Sequence, residues 1–343
     1  MYFGLSEDQI FFQDNVKKFL EDQLTLDTVK KITEGEDDLA KEELHKGLIN
    51  LGINNILVPE EHGGLGLDLL FATAVSQSLG EGVATLPFLG PYILAPTAIK
   101  YGASDSQKEK LFADMSQNLI NFGIGFSEYF GSRDSSGLNI SDNKVTGKTL
   151  FVLDTDFASH VMIADNKGQI GIVSLDSNDI EMIDLTTVDK TRTYKEMHFS
   201  DTPIEILDKT KSSSFAIEMA LDAGRIIAAA DSLGASQAMI NKAVEYSKER
   251  KQFNRVIGSF QAVKHMCAEM AAELEPCYSL VWHAAHSFDD SSEDARLMAC
   301  LAKSHISEVS KMVSKKATEV HGGMGFTDLL GLHFWFKRIG LNR

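Results

Sequence analysis

The hydrophobic periodicity of this chain changes twice, and these changes constrain the fold more than any other feature of the sequence. Near the N-terminus apolar residues such as Phe12 and Val16 recur at helical spacing. Ser6 and Gln9, three positions apart, are typical of a capping box and predict where this first helix begins. Because further helical segments follow, we predict an N-terminal helical domain over residues 1–118.

Residues 119–208 have a different pattern. Short β-branched and aromatic runs, KVTGKTLFVL, HVMIAD and GQIGIVSL, are separated by Asp, Asn, Gly and Ser, which is typical of strands and turns. Helical spacing returns at Ser212 and continues, with one interruption near Gly258, to the C-terminus. We therefore predict a mostly α-helical fold with a middle β domain at 119–208 and a C-terminal helical domain at 209–343.

Charge and cysteine content limit the classes of function. The net charge is −16, so a nucleic-acid backbone is repelled and we expect no nucleic-acid partner. Cys267, Cys277 and Cys300 lack Cys-x-x-Cys spacing, which favours a reducing compartment. The sequence predicts neither a signal peptide nor a membrane span, because its start has no apolar core and no window of about eighteen residues is free of charge. These features predict a cytoplasmic protein.

The stretch ERKQFNRVIGSFQ, residues 249–261, interrupts the C-terminal helical pattern. Arg250, Phe253 and Gln261 bracket the interruption and offer a guanidinium, an aromatic face and an amide. An anionic, aromatic ligand needs these groups, although the same residues are also compatible with an ordinary surface turn.

Three further motifs have a functional and a structural interpretation. In EVHGGMGFT, Gly322 and Gly323 either let backbone N–H groups approach a pyrophosphate or simply end a helix. In GFSEYFGSRD, Ser127 and Ser132 either bind a ring system or belong to a polar loop.

The third motif is LDAGR, in which Asp222 and Arg225 share a helical face. They either grip a polar ligand or form a solvated ion pair. His283 and His286 also share a helical face, but no third ligand follows at a suitable spacing, so we predict no metal site. The sequence lacks the glycine patterns of nicotinamide-binding Rossmann domains and P-loop NTPases and the Gly-x-Ser-x-Gly of serine hydrolases.

Taken together, and in this order, VPEEHGGLGLD, SEYFGSRD, KVTGKTLFVL, RKQF…FQ and HGGMGF resemble the acyl-CoA dehydrogenase family over nearly the whole chain. The resemblance implies a helical N-terminal domain, a middle β-barrel-like domain and a C-terminal four-helix bundle. It also implies that FAD is held between the last two domains and that a neighbouring subunit completes the FAD-binding site. An acyl-CoA substrate and an electron-transfer flavoprotein or similar acceptor are the partners that it implies.

The resemblance assigns roles to individual residues. It implies FAD contacts for Arg250, Phe253 and Gln261 across a subunit interface, for the Gly322-Gly323 turn, and for Ser127, Ser132 and Phe151 of the middle domain. The helix containing LDAGR resembles the helix that contacts acyl-CoA, so Asp222 and Arg225 are the predicted substrate anchors.

In this family a glutamate removes the α-proton of the thioester while the β-hydride passes to the flavin, which yields a 2-enoyl-CoA. The glutamate occupies one of two positions. The first corresponds here to Gly224, and the second lies beyond Arg343, so the residue that acts as catalytic base is unknown. Three other positions also depart from the family pattern, namely Leu153 for a threonine, Asn254 for a glycine and Glu319 for a glutamine.

The segment LHFWFKR and the absent base resemble one subunit of heteromeric acyl-CoA dehydrogenases that act on bulky, steroid-like thioesters. We therefore expect one subunit of such an enzyme, inactive alone and completed by a related chain. One alternative is a self-sufficient homo-oligomer with an unidentified base, and another is a non-catalytic scaffold that binds acyl-CoA or a subunit. The sequence does not identify the acyl chain.

Overall fold

The computed structural model describes residues 4–343, which form two compact units. The first unit contains the residues up to Gly47 together with Leu69–Thr85 and Arg225–Arg343. The second contains Leu48–Asp68 and Leu86–Gly224.

The helices are α1 (Glu7–Gln23), α2 (Leu26–Glu34), α3 (Asp38–Asn50), α4 (Leu69–Glu81), α5 (Ala95–Gly102), α6 (Asp105–Ser116), α7 (Phe215–Glu249), α8 (Gln261–Asp289), α9 (Ala295–His321) and α10 (Leu332–Asn342). The strands are β1 (Phe122–Gly125), β2 (Gly137–Ser141), β3 (Lys144–Leu153), β4 (His160–Ala164), β5 (Ile170–Ser174), β6 (Ile180–Leu185), β7 (Tyr194–Pro203), β8 (Glu205–Ile206), β9 (Lys251–Gln252) and β10 (Arg255–Val256).

The predicted capping box begins α1. The Ser6 hydroxyl accepts from the Gln9 N–H at 3.2 Å, and the Gln9 side chain accepts from the Ser6 N–H at 2.8 Å. Two backbone donors at the helix start are thereby satisfied reciprocally.

In the second unit, eight strands form one sheet. Its order is β6-β7-β3-β1-β4-β5-β8, with β2 paired to β3. Strands β1 and β4 are parallel, whereas β3 runs antiparallel to both β1 and β7. Alternate residues of β4 face two cores, since Met162 packs with Phe122 and Ile217 while Val161 packs with Val145. This two-residue period is the reason that the sequence predicts strands here.

In the first unit, helices α4 and α7 approach closely at two glycines. A Cβ built on Gly80 would lie 2.0 Å from the Asp231 carbonyl oxygen, and one built on Gly234 would lie 1.8 Å from the Gln77 carbonyl oxygen. No side chain fits at either position, so the two helix backbones are in direct contact.

A buried ion pair anchors α10 within the same unit. Arg338 donates to the Asp231 carboxylate from Nε at 2.9 Å and from Nη2 at 2.6 Å, and its Nη1 donates to the Ala84 carbonyl at 2.7 Å. Asn342 donates to the same carboxylate at 2.6 Å. Every charge in this cluster therefore has hydrogen-bond partners, which a buried pair requires.

The structure confirms the predicted fold class, with helices on both sides of a β region in the chain. The division into domains at 1–118, 119–208 and 209–343 stays a prediction. No helix among residues 4–343 combines the length and apolar character needed to cross a membrane. In the same part of the chain, no cluster of three or more His, Cys, Asp or Glu side chains is arranged to hold a metal ion.

Candidate functional site

The second unit contains a cavity of about 330 Å³ whose wall is mainly apolar. Its lining residues come from β1 and the loop after it, the end of β3, β7, the segment before α5 and the start of α7: Leu94, Ile124, Phe126, Ser127, Glu128, Phe130, Gly131, Arg133, Ser136, Leu150, Phe151, Leu153, Tyr194 and Leu221. An apolar cavity with few polar groups is typical of a cofactor or ligand site. Two of the predicted FAD contacts, Ser127 and Phe151, are brought together here.

A β-bulge presents Phe151 to this cavity. Thr149 pairs with Met197 and Val152 with Lys195, so Leu150 and Phe151 stand opposite the single residue Glu196. Phe151 has a φ of 54° and remains 46% exposed. A phenylalanine in the left-handed region is an outlier, and such strain is often stored at functional sites.

Glu128 is the one carboxylate in the described wall of the cavity. Its side chain is 2% exposed; Oε1 accepts from the Leu150 N–H at 3.1 Å and Oε2 accepts from the Ser136 hydroxyl at 2.6 Å. The Ser127 hydroxyl lies 3.1 Å from Oε1 and is also hydrogen-bonded to the Leu150 carbonyl. Sequence reasoning missed Glu128, because one acidic residue in a polar loop gives no sign that it is buried.

The other predicted middle-loop residue, Ser132, is exposed and is not among the lining residues of the cavity. Its neighbours Gly131 and Arg133 do line the cavity. The apolar Leu153, which stands where the family pattern has a threonine, also contributes to the wall.

In the first unit, the interruption after α7 is a β-hairpin. Strands β9 and β10 pair Gln252 with Arg255, and the two turn residues Phe253 and Asn254 have φ values of 52° and 61°. A two-residue turn with both φ values positive suits asparagine and strains phenylalanine. Phe253 is nevertheless 87% exposed and has only an edge contact to the Phe260 ring, at 6.1 Å between centroids.

Arg250 and Gln261 flank this hairpin as the sequence predicts. The Arg250 backbone ends α7, with its N–H bonded to the Tyr246 carbonyl at 2.9 Å, whereas its exposed side chain makes no ion pair or hydrogen bond with any residue in the range 4–343. Gln261 is the first residue of α8 and is exposed. Both polar groups are therefore available to a ligand or a second subunit.

The Gly322-Gly323 turn follows α9 in the same unit. Gly322 has φ 59° and ψ −140°, so its backbone demands glycine, as a helix stop does. Gly323 has no positive φ, and a Cβ built there would meet no atom within 4 Å. Neither its backbone conformation nor packing against the described residues requires glycine at this second position. The His321 ring stacks on Tyr246 at 4.5 Å and so joins this turn to the end of α7.

The LDAGR segment lies in α7, where the boundary between the two units follows Gly224. Asp222 is only 4% exposed, which rules out the solvated ion-pair interpretation for this residue. Gly224 is buried, and a Cβ built on it would lie 2.8 Å from Leu94 Cδ2, an atom of the cavity-lining residue Leu94. A side chain at position 224, which corresponds to one family position of the base, would thus be directed at Leu94 in the wall of the cavity.

Arg225 lines a separate, open cavity of about 550 Å³ in the first unit, together with Lys303, Glu308 and Arg343. Burial lowers the pKa of the Lys303 ammonium, and the nearby Arg225 and Arg343 lower it further. Arg343 is paired with Glu308 at 2.6 Å. The charged side chains around Arg225 are therefore mainly cationic, with Glu308 as the one carboxylate in the described lining of this cavity.

Comparison with known proteins identifies the family. The family model described as "Acyl-CoA dehydrogenase, N-terminal domain" matches residues 6–118, and that described as "Acyl-CoA dehydrogenase, C-terminal domain" matches residues 215–343. The chain belongs to the acyl-CoA dehydrogenase family, whose members are oxidoreductases acting on CH–CH groups. FAD is the cofactor of this family, so the predicted cofactor is confirmed at the level of the family.

Among curated proteins, the chain is 25% identical to the caffeyl-CoA reductase-Etf complex subunit CarC of Acetobacterium woodii, over 95% of this chain and 90% of that protein. It is 28% identical to the 3-(aryl)acrylate reductase of Clostridium sporogenes, over 83% of this chain and 81% of that protein. Among solved structures, the ChsE4-ChsE5 complex from Mycobacterium tuberculosis contains a chain of the same fold, with a TM-score of 0.88 at 20% identity, covering 100% of this chain and 94% of that one.

Proposed function

We propose that this chain is one subunit of a heteromeric, FAD-dependent acyl-CoA dehydrogenase that converts an acyl-CoA thioester to a 2-enoyl-CoA. The observation that carries this proposal is the lack of a usable carboxylate in the described wall of the cavity. Gly224 has no side chain, and the Glu128 carboxylate is already hydrogen-bonded to Ser136 and Leu150. Abstraction of the α-proton requires a positioned base, and we propose that a second chain provides it.

The residues of the second unit suit a flavin. Phe151 and the aliphatic wall of the cavity offer an apolar surface for a ring system, and the Ser127 hydroxyl, which donates to the Leu150 carbonyl, offers its oxygen as an acceptor at the edge. FAD, when bound, supplies the acceptor for the hydride. The chain's own residues orient the ring and exclude water from it.

The residues of the first unit suit the anionic and aromatic parts of an FAD held by a neighbouring chain. The Arg250 guanidinium has no partner within residues 4–343, and the Gly323 backbone is open to a phosphate. Phe253 is exposed at the tip of the hairpin, where a second subunit can reach it. Glu319 opposes this arrangement, because its exposed carboxylate makes no ion pair with any described residue and repels a nearby phosphate.

Two features support a partner. Phe253 is 87% exposed at the tip of the hairpin, the motif that the family resemblance assigns to a contact with a neighbouring chain. One relative is named as a subunit of an Etf complex, and one structural neighbour is a complex of two named chains. We therefore propose a related subunit as the supplier of the base and an electron-transfer flavoprotein or similar acceptor as the electron partner.

The test is to purify the chain alone and after co-expression with a related chain, and to measure flavin per chain, native mass and dehydrogenation of a panel of acyl-CoA thioesters with an artificial acceptor. Loss of a general base lowers the rate of such a reaction by a factor of about 10² to 10⁴, so the turnover of the lone chain is expected to stay near background. Robust turnover by a homo-oligomer contradicts the heteromeric proposal and favours a base that lies elsewhere in the chain.

The names of the two curated relatives favour a second candidate, the reverse reaction. Both are reductases, one of a caffeyl-CoA and one of an arylacrylate. The same site is then proposed to hold a 2-enoyl thioester, with reduced FAD, when bound, supplying a hydride for the β-carbon and a general acid supplying a proton for the α-carbon. Comparing the oxidation of acyl-CoA with the reduction of 2-enoyl-CoA by the complete assembly distinguishes the two.

A further inference from the structure

We infer that Glu128 is a positioning residue that holds the β3 bulge and so presents Phe151 to the flavin ring. This inference rests on the proposed function for the identity of the ligand. The contacts that carry it all lie within the second unit.

The bulge removes the peptide groups around Leu150 from the ladder with β7. Thr149 and Val152 are paired across the sheet, while Leu150 and Phe151 are the two residues left opposite Glu196. A buried peptide group outside the ladder needs another hydrogen-bond partner. Leu150 itself is 6% exposed, so bulk water does not supply one.

Two consecutive residues of the loop after β1 satisfy both polar groups of Leu150. The Leu150 N–H donates to Glu128 Oε1 at 3.1 Å, and the Ser127 hydroxyl donates to the Leu150 carbonyl. The loop therefore replaces the missing strand partner at the point where the bulge departs from the sheet. Phe151, the next residue, is consequently fixed in its left-handed conformation beside the cavity.

The second oxygen of Glu128 fixes the far end of the same loop. Oε2 accepts from the Ser136 hydroxyl at 2.6 Å, and Ser136 Oγ accepts from the Arg133 N–H at 2.9 Å. One carboxylate thus joins the two segments that form this side of the cavity. A side chain that is 2% exposed and engaged at both oxygens is rigid, which positioning requires.

The first arm of the test needs no flavin. Hydrogen–deuterium exchange of the segment 148–153 is measured in the wild-type assembly and in the variants Glu128→Ala, Glu128→Gln and Glu181→Gln. The last is a matched control, because Glu181 lies on β6 with its side chain 70% exposed. We expect Glu128→Ala to accelerate exchange of the Leu150 amide by at least about tenfold, whereas Glu128→Gln, whose carbonyl still accepts the bond, and Glu181→Gln leave it near wild type. Unchanged exchange in Glu128→Ala overturns the inference.

The second arm is a double-mutant cycle for FAD affinity in the same assembly. Phe151→Ala is expected to weaken FAD binding about tenfold, the size of one aromatic stacking contact. If Glu128 acts through Phe151, Glu128→Ala weakens binding by a similar factor, the double variant is no weaker than the weaker single variant, and Glu128→Gln restores most of the affinity. If the double variant instead loses about a hundredfold in FAD affinity, the product of the two single losses, the inference is overturned. A wild-type assembly without FAD contradicts the proposed function instead, and the exchange arm still decides whether Glu128 holds the bulge.

Discussion

The Asp154 carboxylate accepts a hydrogen bond from the Gly90 N–H at 2.7 Å, although Asp154 is only 5% exposed. Gly90 begins a π-helical turn, Gly90–Leu94, that leads into α5, so the carboxylate faces the positive end of a helical segment. Burial nevertheless dominates and raises the pKa of Asp154 to about 6 from its ordinary value of 3.8. Compared with the unfolded chain, the native state therefore favours the protonated form of this carboxyl group.

The first prediction concerns this carboxyl group. Because its folded pKa is raised, its contribution to stability is present below about pH 4 and is lost as the pH rises through about 6. Asp154→Asn removes this dependence, so the free energy of unfolding of wild type relative to Asp154→Asn should fall by about 2.4 kcal/mol between pH 4 and pH 7. Urea unfolding across that range measures it. Asp201→Asn, at an exposed left-handed position, is the control, and a pH-independent difference contradicts the prediction.

The second prediction concerns the buried pair of Arg338 and Asp231. Arg338→Ala removes the guanidinium that neutralises the buried Asp231 carboxylate, which still accepts from Asn342, and should lower the free energy of unfolding by about 3 to 5 kcal/mol. The exposed pair of Arg343 with Glu308 should contribute at most about 1 kcal/mol, so Arg343→Ala is the matched control. Denaturant unfolding compares the two variants. Equal decreases in their free energies of unfolding would show that burial does not determine how much an ion pair contributes to stability.

The third prediction concerns Arg250. Its guanidinium has no partner in the described chain, so Arg250→Ala should leave the fold intact and lower FAD content by removing a charge-assisted bond of about 1.5 to 3 kcal/mol. Arg255→Ala on the same hairpin is the control, because Arg255 already lies over the Phe260 ring at 3.9 Å. Flavin absorbance per chain is the measurement. Equal flavin loss in both variants indicates a general effect of hairpin charge.

The fourth prediction concerns the LDAGR segment. Asp222→Ala and Arg225→Ala should weaken acyl-CoA binding more than FAD binding, because both residues lie on the predicted substrate helix. Titration calorimetry with a CoA thioester and with FAD gives the two affinities for each variant. Unchanged thioester affinity in both variants would remove their assignment as substrate anchors.

The fifth prediction tests the missing base. Gly224→Glu restores a carboxylate at the family position, but its Cβ meets Leu94 Cδ2 at 2.8 Å, so Leu94 must shift. The double variant Gly224→Glu with Leu94→Ala should therefore show more dehydrogenation by the lone chain than Gly224→Glu alone. Leu94→Ala alone, which has no base, should remain inactive. No turnover in the double variant would indicate that this helix position does not reach the α-carbon.

The sequence predicts the fold class well because its signals are local. The alternation that defines β4 and the capping box that starts α1 each depend on residues a few positions apart. The resemblance to the family supplied the chemistry, and it identified Ser127 and Phe151, which the structure places on one cavity wall. The roles of the individual site residues remain predictions.

What the sequence does not reveal depends on long-range pairing. The bulge at Leu150 and Phe151 arises from the register between β3 and β7, and the burial of Glu128 arises from a contact with a strand more than twenty residues away. Neither has a short-range pattern. The sequence places Ser132 and Ser127 in one loop and so predicts the same role for both, yet the loop turns at Gly131 and leaves Ser132 exposed.

The contact between α4 and α7 at Gly80 and Gly234 has a consequence for the evolution of this chain. Even alanine at either position would place a carbon about 2 Å from a backbone oxygen of the opposite helix, and no rotamer change relieves a backbone overlap. Lineages that lose one of these glycines must separate the two helices, which disturbs the Asp231 carboxylate that receives Arg338. Saturation mutagenesis should therefore find both positions intolerant of every other amino acid, independently of catalysis.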